Sequence, residues 1–255
     1  MNKIMIYPAG NTPALTFACQ YLQKQGVQIL SAPAPDVTHL LLSAPAFEAD
    51  HRIRGGGILE HLLTDLPEDI TVIGGNLNHP ALKGYCQLDL LKDARYLAHN
   101  AAITAHCAMA LAADHLPVTF SDCRVLVIGW GRIGKCLAKL LRAVGASVTV
   151  AARKETDRAM AAALGYDTAD TAALTPRLEQ FRLIFNTAPE EVMDARASAL
   201  CKPECVKIDL ASQRGSGGNG VIWARGLPGI HAPESSGALI AQSVIRLISG
   251  KEETK

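Results

Sequence analysis

Three glycines at fixed spacing carry the clearest chemistry in this sequence. Gly129, Gly131 and Gly134 stand in the string GWGRIG, between an apolar run, RVLVIG (124–129), and a segment of helical periodicity at 133–144. A turn of that kind turns backbone N–H groups and the positive end of a helix toward a phosphate. In a G-x-G-x-x-G loop the first glycine makes the tight turn, the second leaves room for a pyrophosphate, and the third lets helix and sheet pack closely. Alone the spacing is a weak signal, because glycine is common in loops. Here a second apolar strand, SVTVAA (147–152), follows the helix, which is the order a dinucleotide site needs. The residues expected against such a cofactor are Gly129, Trp130, Gly131, Arg132, Ile133 and Gly134.

The end of the second strand discriminates between dinucleotides. An NAD site places a carboxylate there, on the ribose hydroxyls. This strand runs into Ala152, Arg153 and Lys154, with Arg158 a turn further on, and no acid stands at its end. Guanidinium groups meet phosphate with a forked pair of donors. The pattern favours NADP(H), with NAD as the alternative. Two later strand ends fall where open α/β sheets bind ligands: Asn186, Thr187, Ala188 and Pro189, and then Asp209, Leu210, Ala211 and Ser212. Asn186, Thr187 and Ser212 are placed to meet the nicotinamide half. Asp209 reads equally well as a turn residue bonding its own backbone.

These residues need elements to hold them. In the first hundred residues, apolar runs at 4–8, 39–45, 69–75 and, more weakly, 85–91 and 95–100 read as strands. They alternate with helical segments, among them one carrying Leu15, Ala18 and Leu22. An alanine-rich helix from Ala101 to about His115 and a connector (116–123) follow. Strands at 124–129, 147–152, 183–188, 205–211 and within 221–229 then alternate with helices, and 236–249 reads as a terminal helix. The expected fold is α/β in two lobes, each a parallel sheet flanked by helices, the C-terminal lobe a Rossmann fold. Its expected parts are a flavodoxin-like substrate or partner domain at 1–100, an inter-domain helix and connector at 101–118, a dinucleotide-binding domain at 119–235, and a terminal helix and tail at 236–255 that pack back on the first lobe.

Composition narrows the classes. Lys and Arg total 25 against 24 Asp and Glu, and no basic stripe is present, so neither nucleic acid nor a membrane surface is an expected partner. The apolar runs are too short to span a bilayer, and the N-terminus lacks the long apolar core of a signal peptide. The seven scattered cysteines fit reduced thiols in the cytoplasm. Cys201 and Cys205 have the spacing of half a metal site, but without a second pair they read as two packed thiols. A homo-oligomer is expected, dimers being the commonest assembly.

Five strings in order, GWGRIG (129–134), VTVAAR (148–153), NTAP (186–189), DLAS (209–212) and GLPGIHAPESSG (226–237), resemble the A-subunit family of dipicolinate synthase. The last is the most specific. The likeness covers roughly the C-terminal 150 residues, and the first 95 only in layout. D-2-hydroxyacid dehydrogenases and S-adenosylhomocysteine hydrolase are similar at a greater distance. The resemblance implies an NAD(P)-dependent oxidoreductase of sporulating bacteria that works with a separate flavoprotein, the B-subunit of the same synthase. It further implies a small dicarboxylate substrate, a dihydropyridine oxidised to pyridine-2,6-dicarboxylate by loss of a hydride and a proton. The sequence departs from the family where His106 and Cys107 replace an expected Glu and Gly, and where Gln213 and Arg214 replace a basic residue and a proline.

For proton transfer, His106 is the first candidate, since histidine ordinarily titrates near neutrality, and His231 within GLPGIHAP is the second. Asn100 and Thr104 are placed to orient a carboxylate, or simply to cap the helix. His106 is equally readable as a histidine with no catalytic role. Two other functions stay open: a diverged nucleotide-binding or sensor protein, and a 2-hydroxyacid-type dehydrogenase using Arg52, Arg54 or Arg95 on the acid.

Overall fold

A computed structural model describes residues 3–212 and 215–252. The departures at Gln213 and Arg214, and the end of the polar tail, lie outside the described residues. The chain divides into two compact units, one formed by Met1–Asn100 with Pro228–Lys255, the other by Ala101–Leu227.

The first unit contains β1 (Met5–Pro8), α1 (Pro13–Lys24), β2 (Gln28–Ile29), β3 (His39–Leu41), α2 (Leu59–Leu63), β4 (Thr71–Gly74), β5 (Cys86–Asp89) and the start of α3 (Ala94–Ala113). Its five strands lie in the order β2-β1-β3-β4-β5, all parallel. Ile6, Leu40, Leu41, Val72 and Ile73 are fully enclosed, as strands covered on both faces require. Thr12 starts α1 by accepting the Leu15 N–H at 3.3 Å, with Pro13 in the first turn, where its missing N–H costs nothing. The unit is completed from the far end of the sequence: α8 (Pro233–Glu252) packs along α1. The packing is so close that a Cβ on Gly237 would lie 2.5 Å from the Phe17 Cβ and 2.6 Å from the Ala14 carbonyl oxygen.

One element differs from the sequence reading. Residues 95–100, expected as a strand, are the first turns of α3. Asp93 starts the helix: its carboxylate accepts the Tyr96 N–H at 2.6 Å and its carbonyl accepts the Leu97 N–H at 3.0 Å. Capping overrides the strand preference of Tyr96. The Arg246 guanidinium, from α8, sits 2.8 Å from the same carboxylate. Burial pushes the Asp93 carboxyl up, but the Tyr96 N–H and the Arg246 charge outweigh it and hold it below the usual carboxylate range.

The second unit contains β6 (Arg124–Ile128), α4 (Arg132–Ala143), β7 (Ser147–Ala151), α5 (Glu155–Ala163), β8 (Asp167–Ala169), β9 (Leu183–Asn186), α6 (Ala195–Ala199), β10 (Val206–Asp209), β11 (Val221–Trp223) and the start of α7 (Leu227–His231). The order β11-β10-β9-β6-β7-β8 is parallel throughout and reverses direction between β6 and β9. Ligands of doubly wound sheets bind at that reversal, outside the carboxyl ends of the strands. The fold is therefore α/β, two parallel sheets flanked by helices, the second Rossmann-like.

Candidate functional site

At the reversal the ends of β6 and β9 are fastened together. The backbone N–H and the hydroxyl of Thr187 both donate to the Ile128 carbonyl, at 2.8 and 2.9 Å. Gly129 follows with φ +101°, and its N–H donates to the Ala151 carbonyl at 2.8 Å. A Cβ on Gly129 would come within 2.5 Å of the Thr187 Oγ1, and one on Gly134 would be driven into the Gly129 carbonyl oxygen. The protein's own packing accounts for both of these glycines. Gly131 is different. Its backbone (φ −78°, ψ −169°) suits any residue, and a Cβ there would meet nothing within 4 Å. The space beside it lies at the start of α4, where no side chain caps the helix and no acid stands in the first turn. The free N–H groups and positive dipole end of that turn face the opening, which is the cradle a pyrophosphate needs.

The flanking residues take distinct places. Trp130 is folded into the protein, edge-on to Tyr166 with ring centroids 5.7 Å apart, so only its backbone belongs to the loop. Arg132 is exposed and Ile133 half-buried. Where β7 ends, Ala152 is buried and Arg153 and Lys154 are exposed. Arg153 reaches across to Glu190, Nη1 to Oε2 2.7 Å, with both side chains about two-thirds exposed. Arg153 follows β7 and Glu190 follows β9, so the pair links the two loops flanking β6. Arg158 is committed elsewhere. Its guanidinium donates to the Ala152 and Arg153 carbonyls, at 2.8 and 2.7 Å, and pairs with Asp170 at 2.9 Å, bracing the turn that carries Arg153.

At the end of β9, Asn186 is 1% exposed. Its Nδ2 donates to the Ala188 carbonyl at 3.2 Å and to Asp209 at 3.1 Å, and its Oδ1 accepts the Ala188 N–H at 3.1 Å. Asp209 is fully enclosed. One carboxylate oxygen accepts from Asn186 and from the Ala211 N–H at 3.0 Å, and the other accepts the Gly215 and Ser216 N–H groups at 2.8 Å each. Both polar side chains are turned inward and hold the two loops in shape, Asp209 in the turn role that is one of its two readings. Thr187 and Ala188, half-buried, and Pro189 and Ser212, exposed, form the outer surface of those loops, while Leu210 and Ala211 are buried beneath.

The proton-transfer candidates are not gathered on one face. Thr104 is buried and Asn100, one turn earlier on α3, is half-buried, whereas His106 is exposed two residues beyond Thr104, about 200° further around the helix. Cys107 is 3% exposed, and burial pushes its thiol up. His231 is exposed at the last position of α7. Glu190, which the sequence did not single out, is a charged side chain that the structure adds to the site. Its partner is 37 positions away, and no local pattern announces the pair.

Residues 89–215 match the family model of the D-isomer specific 2-hydroxyacid dehydrogenase, NAD binding domain. The A-subunit of dipicolinate synthase from Bacillus subtilis (strain 168) is 28% identical over 159 residues, which are 59% of this chain. That alignment spans about half, 54%, of the relative's length. The crystal structure of the dipicolinate synthase A-subunit from Bacillus halodurans superimposes with a TM-score of 0.84 at 22% identity, covering 96% of this chain and 98% of the other. The corresponding chain of the Bacillus subtilis dipicolinate synthase gives 0.83 at 20% identity, covering 100% and 99%. Among the described residues no helix is long and apolar enough to cross a membrane.

Proposed function

We propose that this chain, a relative of the dipicolinate synthase A-subunit with a nicotinamide-dinucleotide-binding lobe, is an NADP(H)-dependent oxidoreductase. Its substrate is a dihydropyridine dicarboxylate, from which it removes a hydride and a proton, in the cytoplasm and with a flavoprotein partner. The observation that carries the cofactor reading is Gly131, whose side-chain space is open beside an uncapped helix start, with Arg153 rather than a carboxylate after β7.

The residues fit the cofactor. The N–H groups at the start of α4 hold the pyrophosphate, and Gly131 lets it approach. Arg153 and Lys154 bind the 2′-phosphate, Arg153 by exchanging Glu190 for it. Thr187, Ala188, Pro189 and Ser212 border the nicotinamide half, on loops that Asn186 and Asp209 keep rigid. When bound, the oxidised nicotinamide supplies the hydride acceptor. Asn100 and Thr104 on α3 are the candidates for orienting a substrate carboxylate. Its proton passes to His106, whose exposed ring can reach solvent, with His231 as the other candidate.

A catalytically silent nucleotide-binding protein is the second reading. It is favoured by the exposed His106 and buried Cys107 at positions where the resemblance expects Glu and Gly. Titration of the protein with NADPH and NADH, then assay of ultraviolet pyridine absorbance with the flavoprotein partner present, separates the two. Saturable NADPH binding with turnover supports the enzyme, binding without turnover supports the silent relative, and no binding of either dinucleotide removes both.

A further inference from the structure

Cys201 and Cys205 lie away from the dinucleotide site, before the amino end of β10, whereas that site gathers at carboxyl ends of strands. A tight turn brings them together. The Cys205 N–H donates to the Lys202 carbonyl at 2.9 Å, closing Lys202–Cys205 with Pro203 at its second position, where a fixed φ is an asset. The Cys201 N–H donates to the Ser198 carbonyl at 3.3 Å at the end of α6. Arg182 holds the turn from outside, 3.3 Å from the Glu204 carboxylate. The Cys205 thiol donates to the Val206 carbonyl at 3.8 Å, and both cysteines line a cavity of about 570 Å³ shared with Ser198, Lys202, Lys207 and Gly218.

We propose that this cavity is a thiol–disulfide exchange site, in which Cys201 attacks a small anionic disulfide such as glutathione disulfide and Cys205 resolves the adduct. Lys202 and Lys207 on the cavity wall attract the carboxylates of such a molecule. The neighbouring Cys205 thiol lowers the Cys201 thiol to about 7, with the Lys207 charge assisting and burial opposing, while the Cys201 neighbour and burial push Cys205 up. A thiol that titrates near ambient pH is the best attacker. Three of the cysteines elsewhere are less suited, since burial pushes Cys19 up to about 11 and raises Cys107 and Cys123.

The exchange balances in two steps. The Cys201 thiolate forms an S–S bond with one sulfur of the small disulfide, whose own S–S bond breaks, and the departing thiolate takes up the Cys201 proton by way of solvent. Cys205 then gives up its proton, its sulfur bonds to the Cys201 sulfur, and the second small thiolate leaves and is protonated. The protein loses two protons and two electrons, and one small disulfide becomes two thiols.

The full-length protein, treated with glutathione disulfide and digested with trypsin, tests this. Cleavage is poor at Lys202–Pro203, so both thiols fall in the peptide spanning residues 197–207. The expected product is that peptide lighter by two hydrogen atoms, restored by dithiothreitol. In C205S the reaction stops with glutathione on Cys201, and in C201S Cys205 takes no adduct. Because the unmutated protein gives the primary readout, the result does not depend on either variant folding. A reduced 197–207 peptide while the exposed Cys86 carries glutathione overturns the site. An adduct on Cys205 in C201S overturns the assignment of the attacking sulfur.

Discussion

The Arg153–Glu190 pair makes a quantitative prediction about cofactor choice. The two groups approach to 2.7 Å, but each is about two-thirds exposed, so water and salt screen the pair to roughly 0–1 kcal/mol. A charge-assisted hydrogen bond from Arg153 to a 2′-phosphate contributes roughly 1.5–3 kcal/mol. The difference, about 0.5–3 kcal/mol, is what Arg153 adds to NADPH binding after releasing Glu190. Arg153→Gln is therefore expected to weaken NADPH by about 2- to 140-fold, while NADH, which lacks the phosphate, stays essentially unchanged. Glu190→Gln removes the competitor and is expected to tighten NADPH by up to about fivefold. In R153Q/E190Q the Glu190 change should have no further effect, because there is no guanidinium left to compete for. Calorimetric titration of the four proteins with both dinucleotides at fixed ionic strength measures all of this. An equal loss of NADH and NADPH in R153Q, or additive effects in the double variant, would refute the reasoning.

Other substitutions separate packing from binding. Gly131→Val meets no atom of the protein, so Tm should fall by less than about 4 °C while dinucleotide binding is lost. Gly134→Ala pushes into the Gly129 carbonyl and should cost about 1–3 kcal/mol, a fall of about 2–12 °C by calorimetry. The reverse ranking would contradict both roles. Asp209→Ala strands the Asn186 amide and three backbone N–H groups in the interior and should cost about 3–4 kcal/mol, which denaturant titration would detect as a shifted midpoint. An unchanged midpoint would mean that the carboxylate does not organise those loops. The Asp93 carboxyl is held below its unfolded value, so its stabilisation is present above that value and lost as pH falls through the folded one. Asp93→Asn, which keeps a capping oxygen but loses the charge facing Arg246, should thus cost about 1 kcal/mol near pH 6 and almost nothing near pH 2, whereas an equal gap at both pH values argues against that charge as the source of the stabilisation.

What the sequence disclosed depended on how local each signal was. The β6–loop–α4 unit was legible because glycine spacing, an apolar run and helical periodicity coincide within twenty or so residues. The end of β7 was legible as a stretch with Arg153 and without an acid. Its partner Glu190 was not, because the pair exists only once β7 and β9 are assembled on either side of β6. Arg158 looked like a further phosphate ligand, yet its length lets it turn back onto two carbonyls and Asp170. The edge strands β2 and β8 are two and three residues long, too short to show a period of two. Asn186 and Asp209 sit at the strand ends where ligand contacts are expected, but only the hydrogen-bond pattern shows them turned inward. For the family-level activity the legible part was the set of five ordered strings, and the sequence left the proton carrier open between His106 and His231.

The packing of α8 on α1 has a consequence for how the chain is made. The second unit is contiguous, Ala101–Leu227, so all its strands have left the ribosome before Pro233 emerges. The first unit needs both ends: Ala14, Phe17 and Ala18 on α1 wait for Gly237. At translation speeds of about 5–20 residues per second, that wait lasts roughly 10–40 s. The nascent protein thus finishes its second unit first, and for that interval carries an uncovered helix flank near its N-terminus that a chaperone has time to find.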